Sequence, residues 1–283
     1  MVKIISDSTC DLSDDLLKKY DVTLLSLHIL LGEDEYLDRQ NITSQEIYAW
    51  SDAHKTTPRT SAPSLDAAIE LLLPYVKEGR EIVCFSISDD MSASGNVMRL
   101  AAEELDASDQ VTVINSMNLS TGIGLLVIEA AIMAQNGANA NEIVKRIEYL
   151  RPLVRASFVV DTLVYLHRGG RCSGLAALAG SALKLHPRIV VDNGKMKPEK
   201  KYRGNIGKVI MSYTKDMEQA LLNAKADRVF ITHSDCSKEI VDEVKDYLES
   251  LHHFNEVLEA SAGGVISCHC GPGTLGVLFI AES

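Results

Sequence analysis

The chain has 283 residues, of which 46% are hydrophobic and 24% charged, and its formal net charge is −11. This length suffices for two domains or one large domain, and the composition excludes a disordered or collagen-like chain. The acidic balance argues against nucleic acid and anionic membrane as partners, because both repel negative charge. Aromatic residues make up only 5% of the chain, so the core must be largely aliphatic.

The cysteine pattern and the first residues bear on the compartment. Six cysteines are scattered along the chain, which begins with a strand-like segment rather than a charged and then apolar signal segment. We therefore expect a reduced, cytoplasmic protein. The longest stretch without Asp, Glu, Lys or Arg, residues 260–281, contains five glycines and a proline, which argues against a helix that spans the membrane.

The first half of the chain alternates short strand patterns with amphipathic helix patterns. Thr43 and Glu46 form a capping box, and Ser64 caps the next helix. Strands separated by such helices predict βαβ units and a mostly parallel sheet, with ligands bound beyond the carboxyl ends of its strands. We predict strands at 2–6, 22–28, 81–88 and 111–114, and helices at 13–20, 43–50, 64–76, 92–105, 120–135 and 141–150.

The pattern changes near residue 150, where the strands become less regularly spaced. We therefore predict an N-terminal α/β domain over residues 1–150 and a second, α+β domain over residues 151–283, with more antiparallel pairing. Asp192-Asn193-Gly194 predicts a hairpin turn between two of its strands. Strands are predicted at 158–161, 189–191, 228–232, 264–267 and 276–280, and helices at 174–185, 205–224 and 237–251.

The motifs that would indicate catalysis or a metal are weak. The Gly-x-Ser-x-Gly elbow is absent, but a serine hydrolase stays open because a triad assembled in space needs no sequence signature. Cys268 and Cys270 would share one face of a strand with His269 on the other, yet the spacing lacks Cys-x-x-Cys, so we interpret the cysteines as core residues. Gly122 and Gly124 lack the remainder of a phosphate loop and are typical of close helix packing.

What remains is a set of neutral hydroxyl groups near predicted strand ends, together with cations in uncharged surroundings. If these groups converge, they suit a carboxylate ligand, whose oxygens need several donors once water is excluded. Each residue alone also has an ordinary role as a helix cap, a surface charge or a core histidine. The residues are Thr60, Ser61, Ser88, Ser92, Ser94, Arg203 and His269.

Four motifs, in order along nearly the whole chain, resemble those of the DegV family. The resemblance implies a two-domain α/β protein that encloses one long-chain fatty acid between its domains and has no catalytic machinery or cofactor of its own. In bacteria such proteins are the fatty-acid-binding subunits of fatty acid kinase, and they present the carboxylate to a separate kinase subunit. That subunit makes the acyl phosphate used in phospholipid synthesis. The motifs are Ile5-Ser6-Asp7-Ser8-Thr9-Cys10-Asp11-Leu12, Thr60-Ser61-Ala62-Pro63-Ser64, Phe158-Val159-Val160-Asp161-Thr162-Leu163 with Arg168-Gly169-Gly170-Arg171, and His269-Cys270-Gly271-Pro272-Gly273-Thr274-Leu275-Gly276.

The resemblance also implies site residues. It places carboxylate binding at Thr60, Ser92, His269 and Arg203, and we expect Ser61, Ser94 and Gly271 to support them. Leu175, Leu178 and Leu183 are expected to line the alkyl chain. The family usually has Gly and Thr where this chain has Ala93 and Ser94, and Ala93 would be strained if the turn needs a positive φ. The alternative is a lipid-directed hydrolase that uses Ser92 or another hydroxyl with His269.

Overall fold

The computed structural model describes residues 1–172 and 185–282. The helix predicted at 174–185, with its expected lining residues Leu175, Leu178 and Leu183, lies almost entirely outside the described residues. Thirteen strands lie within them: β1 (Lys3–Asp7), β2 (Val22–Leu25), β3 (His28–Leu31), β4 (Asp34–Leu37), β5 (Arg59–Ser61), β6 (Ile82–Ser86), β7 (Val111–Asn115), β8 (Val154–Val159), β9 (Leu185–Asp192), β10 (Lys195–Arg203), β11 (Ala224–Ser234), β12 (Glu256–Ser261) and β13 (Thr274–Ala281).

The same residues contain eleven α-helices. None of those helices combines the length and the apolar composition needed to cross a bilayer. The helices are α1 (Asp14–Lys19), α2 (Ser44–His54), α3 (Leu65–Lys77), α4 (Ser94–Glu104), α5 (Thr121–Gln135), α6 (Ala140–Leu150), α7 (Val164–Gly169), α8 (Ile206–Asp216), α9 (Glu218–Leu222), α10 (Lys238–Ser250) and α11 (Gly264–Cys270).

The strands form three sheets, which divide between the two halves of the chain. An all-parallel sheet has the order β2-β1-β6-β7, and a small antiparallel sheet has the order β4-β3-β5. The third sheet, β10-β9-β8-β13-β11-β12, is antiparallel except for the pair β11 and β12. This arrangement confirms the mixed α/β class with a parallel sheet and a second sheet domain. The boundary at residue 150 stays a prediction.

The two predicted helix caps and the predicted hairpin turn all occur in the structure. The Thr43 hydroxyl accepts the Glu46 N–H and the Glu46 carboxylate accepts the Thr43 N–H, which is the predicted capping box of α2. Ser64 caps α3 in the same region of the chain. The predicted hairpin joins β9 to β10. Asn193 and Gly194 both have positive φ angles, of 48° and 79°, as a two-residue type I′ turn requires.

Helix α5 lies between the parallel sheet and the third sheet. It contacts β1 and β6 on one side and β8 and β13 on the other. Leu125, Leu126, Val127 and Ile128 follow one another along the helix and all are completely buried. A helix that is apolar on every side belongs inside a core, so α5 joins the two halves into one hydrophobic cluster.

The strand predicted at 264–267 was wrong, because these residues form the first part of α11. Val265 and Ile266 are β-branched, as is typical of strands, and six of the seven α11 residues are buried, so the sequence shows no helical periodicity here. Cys268 and Cys270 therefore do not share a strand face. In the described part of the chain, no three His, Cys, Asp or Glu side chains are arranged to hold a metal ion.

Candidate functional site

A cavity of about 240 Å³ lies beyond the carboxyl ends of the parallel strands and is closed on one side by β5 and α11. Most of its surface is apolar, as is usual for small-molecule sites. We call two groups of its residues the aliphatic lining and the polar lining. The aliphatic lining is Leu27, Ile87, Met91, Leu119, Val265 and Ile266. The polar lining is Thr60, Ser61, Ser92, Arg171 and His269.

The polar lining contains a hydrogen-bonded pair from distant parts of the chain. The Oγ1 atom of Thr60, on β5, lies 2.8 Å from Nε2 of His269, in the last turn of α11. Burial, and secondarily the positive charge of Arg171, lower the pKa of His269 to about 4. The imidazole is therefore neutral at physiological pH.

The second nitrogen of His269 decides which tautomer the ring takes. Nδ1 is buried against Gly169, and within the described residues it has no hydrogen-bond partner. Any Cβ at position 169 would collide with Nδ1, so only glycine leaves room for the ring. A neutral imidazole carries one N–H. We assign it to Nε2, because a proton on Nδ1 would leave a buried N–H without an acceptor; in this tautomer His269 donates to Thr60. The hydroxyl hydrogen of Thr60 is then free to donate to a ligand.

Ser92 also reaches the cavity, whereas its neighbour Ser94 does not. The Ser92 hydroxyl accepts the N–H of Ser94 at 3.2 Å in the turn before α4. Ser94 is completely buried and lies beside the Asp7 carboxyl group. Ala93 has a φ of −82°, so the strain expected from the missing glycine does not occur.

Of the two further expected residues, Ser61 belongs to the cavity lining and Gly271 does not. Ser61 lines the cavity and is exposed. Gly271 ends α11 with a φ of 76°, and a Cβ there would lie 2.5 Å from the Tyr165 ring. Gly271 therefore supports the site only by ending the helix that carries His269.

The structure does not bring Arg203 to the cavity. Arg203 is exposed at the end of β10, where it pairs with Leu185. Among the described residues, the arginine that lines the cavity is Arg171, which belongs to the third motif and was given no role in the sequence-based prediction. The sequence signal that could have identified Arg171 is its place in the Arg-Gly-Gly-Arg segment. This segment also contains Gly169, which contacts His269.

A second and much smaller space, of about 20 Å³, adjoins the main cavity. Leu119, Ile266 and Cys270 line both spaces and form the partition between them. Beyond the partition the walls include Phe158 and Leu278, from β8 and β13. The partition therefore separates the main cavity from the interior of the third sheet.

Comparison with known proteins identifies the family. The family model described as "Uncharacterised protein, DegV family" matches residues 1–282. The chain belongs to the DegV family. A DegV domain-containing protein of Clostridium acetobutylicum is 31% identical over 289 residues, and one of Clostridium perfringens is 29% identical over 281 residues. Each of these alignments covers 99% of this chain and 99% of the relative.

Solved structures show the same fold. One from Thermus thermophilus, described as "Fatty Acid Binding of a DegV family Protein", has a TM-score of 0.89 and 27% identity, and the match covers 99% of both chains. A stearic-acid-binding protein from Eubacterium ventriosum has a TM-score of 0.85 and 29% identity, over 100% of this chain and 99% of the other. The fold expected from the four motifs is thus confirmed.

The four DegV motifs have different relations to the cavity. Thr60 and Ser61 of the second motif, Arg171 of the third and His269 of the fourth all line it. The first motif, at residues 5–12, is completely buried and contributes no lining residue from the described part of the chain. This motif therefore lies behind the cavity wall.

Proposed function

We propose that this DegV protein binds one long-chain fatty acid. The observation that carries the proposal is a mostly apolar cavity whose polar lining includes the bonded pair Thr60 and His269. Thr60 and Ser92 would donate to the carboxylate, His269 would act on it through Thr60, and Arg171 would be the nearby positive charge. The fatty-acid binding described for the structural neighbours from Thermus thermophilus and Eubacterium ventriosum supports the same function.

The physical balance suits such a ligand. Each buried methylene contributes about 0.8 kcal/mol, so a long alkyl chain supplies on the order of 10 kcal/mol before association and ordering costs. A carboxylate taken out of water costs several kcal/mol unless donors meet its oxygens. The hydroxyl groups of Thr60 and Ser92 can donate directly, and the Nε2–H of His269 orients the first of them.

The geometry does not support the hydrolase alternative. A general base works best with a pKa near the operating pH, whereas the pKa of His269 is lowered to about 4. Its Nε2 is bonded to Thr60 rather than to Ser92, and within residues 1–172 and 185–282 no carboxylate orients its Nδ1. Neither hydroxyl therefore has the activated partner that a nucleophile needs.

We further propose that the bound carboxylate is presented to a separate kinase subunit, which would phosphorylate it with ATP. This step is supported by the exposure of Ser61 and Arg171, two members of the polar lining, because a partner could reach the ligand from that side. The protein itself would then be a non-catalytic carrier in the cytoplasm. Mixing lipid-loaded protein, the kinase subunit and ATP should yield acyl phosphate, and omission of either protein should abolish it.

The binding function is tested by identifying what copurifies. The protein is purified without detergent, extracted under denaturing conditions and analysed by mass spectrometry, alongside an unrelated protein from the same cells. We expect an acid of about 14–18 carbons in a one-to-one ratio, since one such cavity would hold one alkyl chain. An empty protein that fails to take up palmitate, or one that cleaves ester substrates, would overturn the proposal.

A further inference from the structure

Two buried carboxylates outside the cavity hold the first turn of α11. The N–H of Gly263 donates to Oδ1 of Asp11 at 2.9 Å. The N–H groups of Gly264 and Val265 donate to Oδ1 of Asp38, at 2.8 and 3.3 Å. Asp11 belongs to the first DegV motif, and Asp38 follows β4. Together they satisfy three backbone donors at the start of the helix.

These contacts replace a cap that α11 lacks. The first N–H groups of a helix have no partner within it, and the residue before the helix usually supplies a side-chain oxygen. In α11 that residue is Gly263, which has no side chain. Carboxylates also suit this end of a helix because its dipole favours negative charge there. The helix therefore depends on acceptors from elements more than two hundred positions earlier in the chain.

The two carboxylates are themselves fixed in place. The hydroxyl of Ser120 donates to Oδ2 of Asp11 at 2.5 Å, and the hydroxyl of Ser8 donates to Oδ2 of Asp38 at 2.7 Å. Arg39 is the nearby positive charge for both. Burial raises the pKa of both groups, to about 7 for Asp11. A protonated carboxyl still offers an oxygen to a backbone N–H, so the contacts do not require both groups to be charged.

The helix that they hold forms one wall of the cavity. Val265, Ile266, His269 and Cys270, four of its seven residues, line the cavity. His269 stands five residues after Gly264, about 7.5 Å along the axis at the rise of an α-helix. A helix this short has little intrinsic stability, so its position is set by what holds its ends. A shift of the first turn would move His269 away from the hydroxyl of Thr60.

We propose that Asp38 and Asp11 are positioning residues for the fatty-acid site, which hold α11 so that His269 meets Thr60. The effect on ligand affinity rests on the function proposed above, whereas the effect on His269 does not. Neither carboxylate lines the cavity. Their contribution is the placement of the donor that orients the Thr60 hydroxyl.

The test compares Asp38→Ala with Asp38→Asn in the full chain. Two readouts are used: titration of lipid-free protein with palmitate, and the ring-nitrogen NMR signals of His269, recorded without ligand. Asp38→Ala should weaken palmitate binding by about tenfold and change the Nε2 signal, because two N–H groups lose their acceptor. Asp38→Asn keeps an acceptor oxygen and should stay within about threefold of the wild type, with an unchanged signal.

The matched control is Asn139→Ala, which removes the side-chain cap of α6, a helix without cavity-lining residues. It should lower stability and leave both readouts unchanged. Wild-type palmitate affinity and an unchanged His269 signal in Asp38→Ala would overturn the inference. If Asp38→Ala does not fold, Asp11→Ala is measured in its place. This variant removes only one acceptor of a backbone N–H, and it also removes a carboxyl group whose burial is unfavourable, so we expect it to fold. Unchanged readouts there would also overturn it.

The same experiment separates the two proposals. Absence of palmitate binding in the wild type, together with a changed His269 signal in Asp38→Ala, would refute fatty-acid binding and support the positioning role. If the wild type binds palmitate and neither readout changes in the variants, fatty-acid binding would be supported and the positioning role would be refuted.

Discussion

The polar lining and the aliphatic lining of the cavity are built differently. Thr60 and Ser92 are only partly buried and stand on a short edge strand and in a turn. Leu27, Leu119 and Ile266 have exposures of 2%, 4% and 7% and belong to the hydrophobic clusters that stabilise the fold. For Thr60 and Ser92, the proposed ligand binding should therefore be separable from folding stability, whereas in the aliphatic lining one side chain would serve both.

The largest effect is expected from Leu119→Ala, in the aliphatic lining. Removal of a buried leucine side chain should lower the free energy of unfolding by about 2–5 kcal/mol. It should also join the two cavities, because Leu119 is part of their partition. Urea denaturation of the lipid-free protein measures the first effect. Leu222→Ala, at a position 44% exposed, is the control and should change little. If Leu119→Ala and the wild type had equal free energies of unfolding, the aliphatic lining would not contribute to folding stability as described.

Thr60→Val should separate binding from stability. Valine keeps the shape of threonine but removes the hydroxyl that bonds to His269. We expect palmitate affinity to fall about ten- to hundredfold, because hydrogen bonds to charged groups contribute roughly 1.5–3 kcal/mol. The free energy of unfolding should change by less than about 1 kcal/mol. Isothermal titration measures the affinity, with Thr56→Val, at an exposed threonine that does not line the cavity, as the control. Undiminished palmitate affinity in Thr60→Val would remove Thr60 from the site.

The polar lining should also show a pH dependence through His269. Its pKa is lowered from 6.5 to about 4, so between these values the unfolded chain binds a proton that the folded chain does not. The stability contributed by this group is present above pH 6.5 and is lost as the pH falls toward 4. From pH 7 to pH 5 the wild type should lose roughly 2 kcal/mol more than His269→Gln, which keeps an N–H but does not titrate.

Unfolding free energies measured in parallel at several pH values test this expectation. The comparison between the two proteins is needed because Asp11, with a pKa raised to about 7, changes stability in the opposite sense over the same range. Parallel pH profiles for wild type and variant would show that His269 does not titrate as described.

The smallest effect is expected from Ser92→Ala. The variant loses one hydroxyl of the polar lining and the bond to the N–H of Ser94. Because Thr60 still contacts the ligand, palmitate affinity should fall by only about three- to tenfold. Ser250→Ala, on an exposed helix end, is the control. A loss larger than that of Thr60→Val would reverse the order of the two hydroxyls.

The sequence predicted those elements whose cause is local. The capping box at Thr43, the cap at Ser64 and the turn at Asn193-Gly194 each depend on a few adjacent residues, and all occur as expected. Helix α11 could not be predicted in this way. Its start is capped by Asp11 and Asp38, residues more than two hundred positions away, and its burial removes the periodicity that identifies a helix.

The site shows the same limit. Thr60 and His269 are 209 positions apart, and no pattern of spacing brings them together. Their assignment came from the family motifs, and the structure places the two side chains in contact. Arg203 and Arg171 both belong to cation-rich stretches, and only the path of the chain after α7 shows that Arg171 is the one at the cavity.

The position of α5 has a consequence for how the molecule unfolds. This helix covers one face of the parallel sheet and one face of the third sheet, so opening either half would expose the hydrophobic cluster that the two share. A chain cut after residue 150 would leave one face of α5 without its partner strands and expose several large aliphatic side chains to water. The two halves should therefore melt cooperatively, in a single transition, although the chain is long enough for two domains.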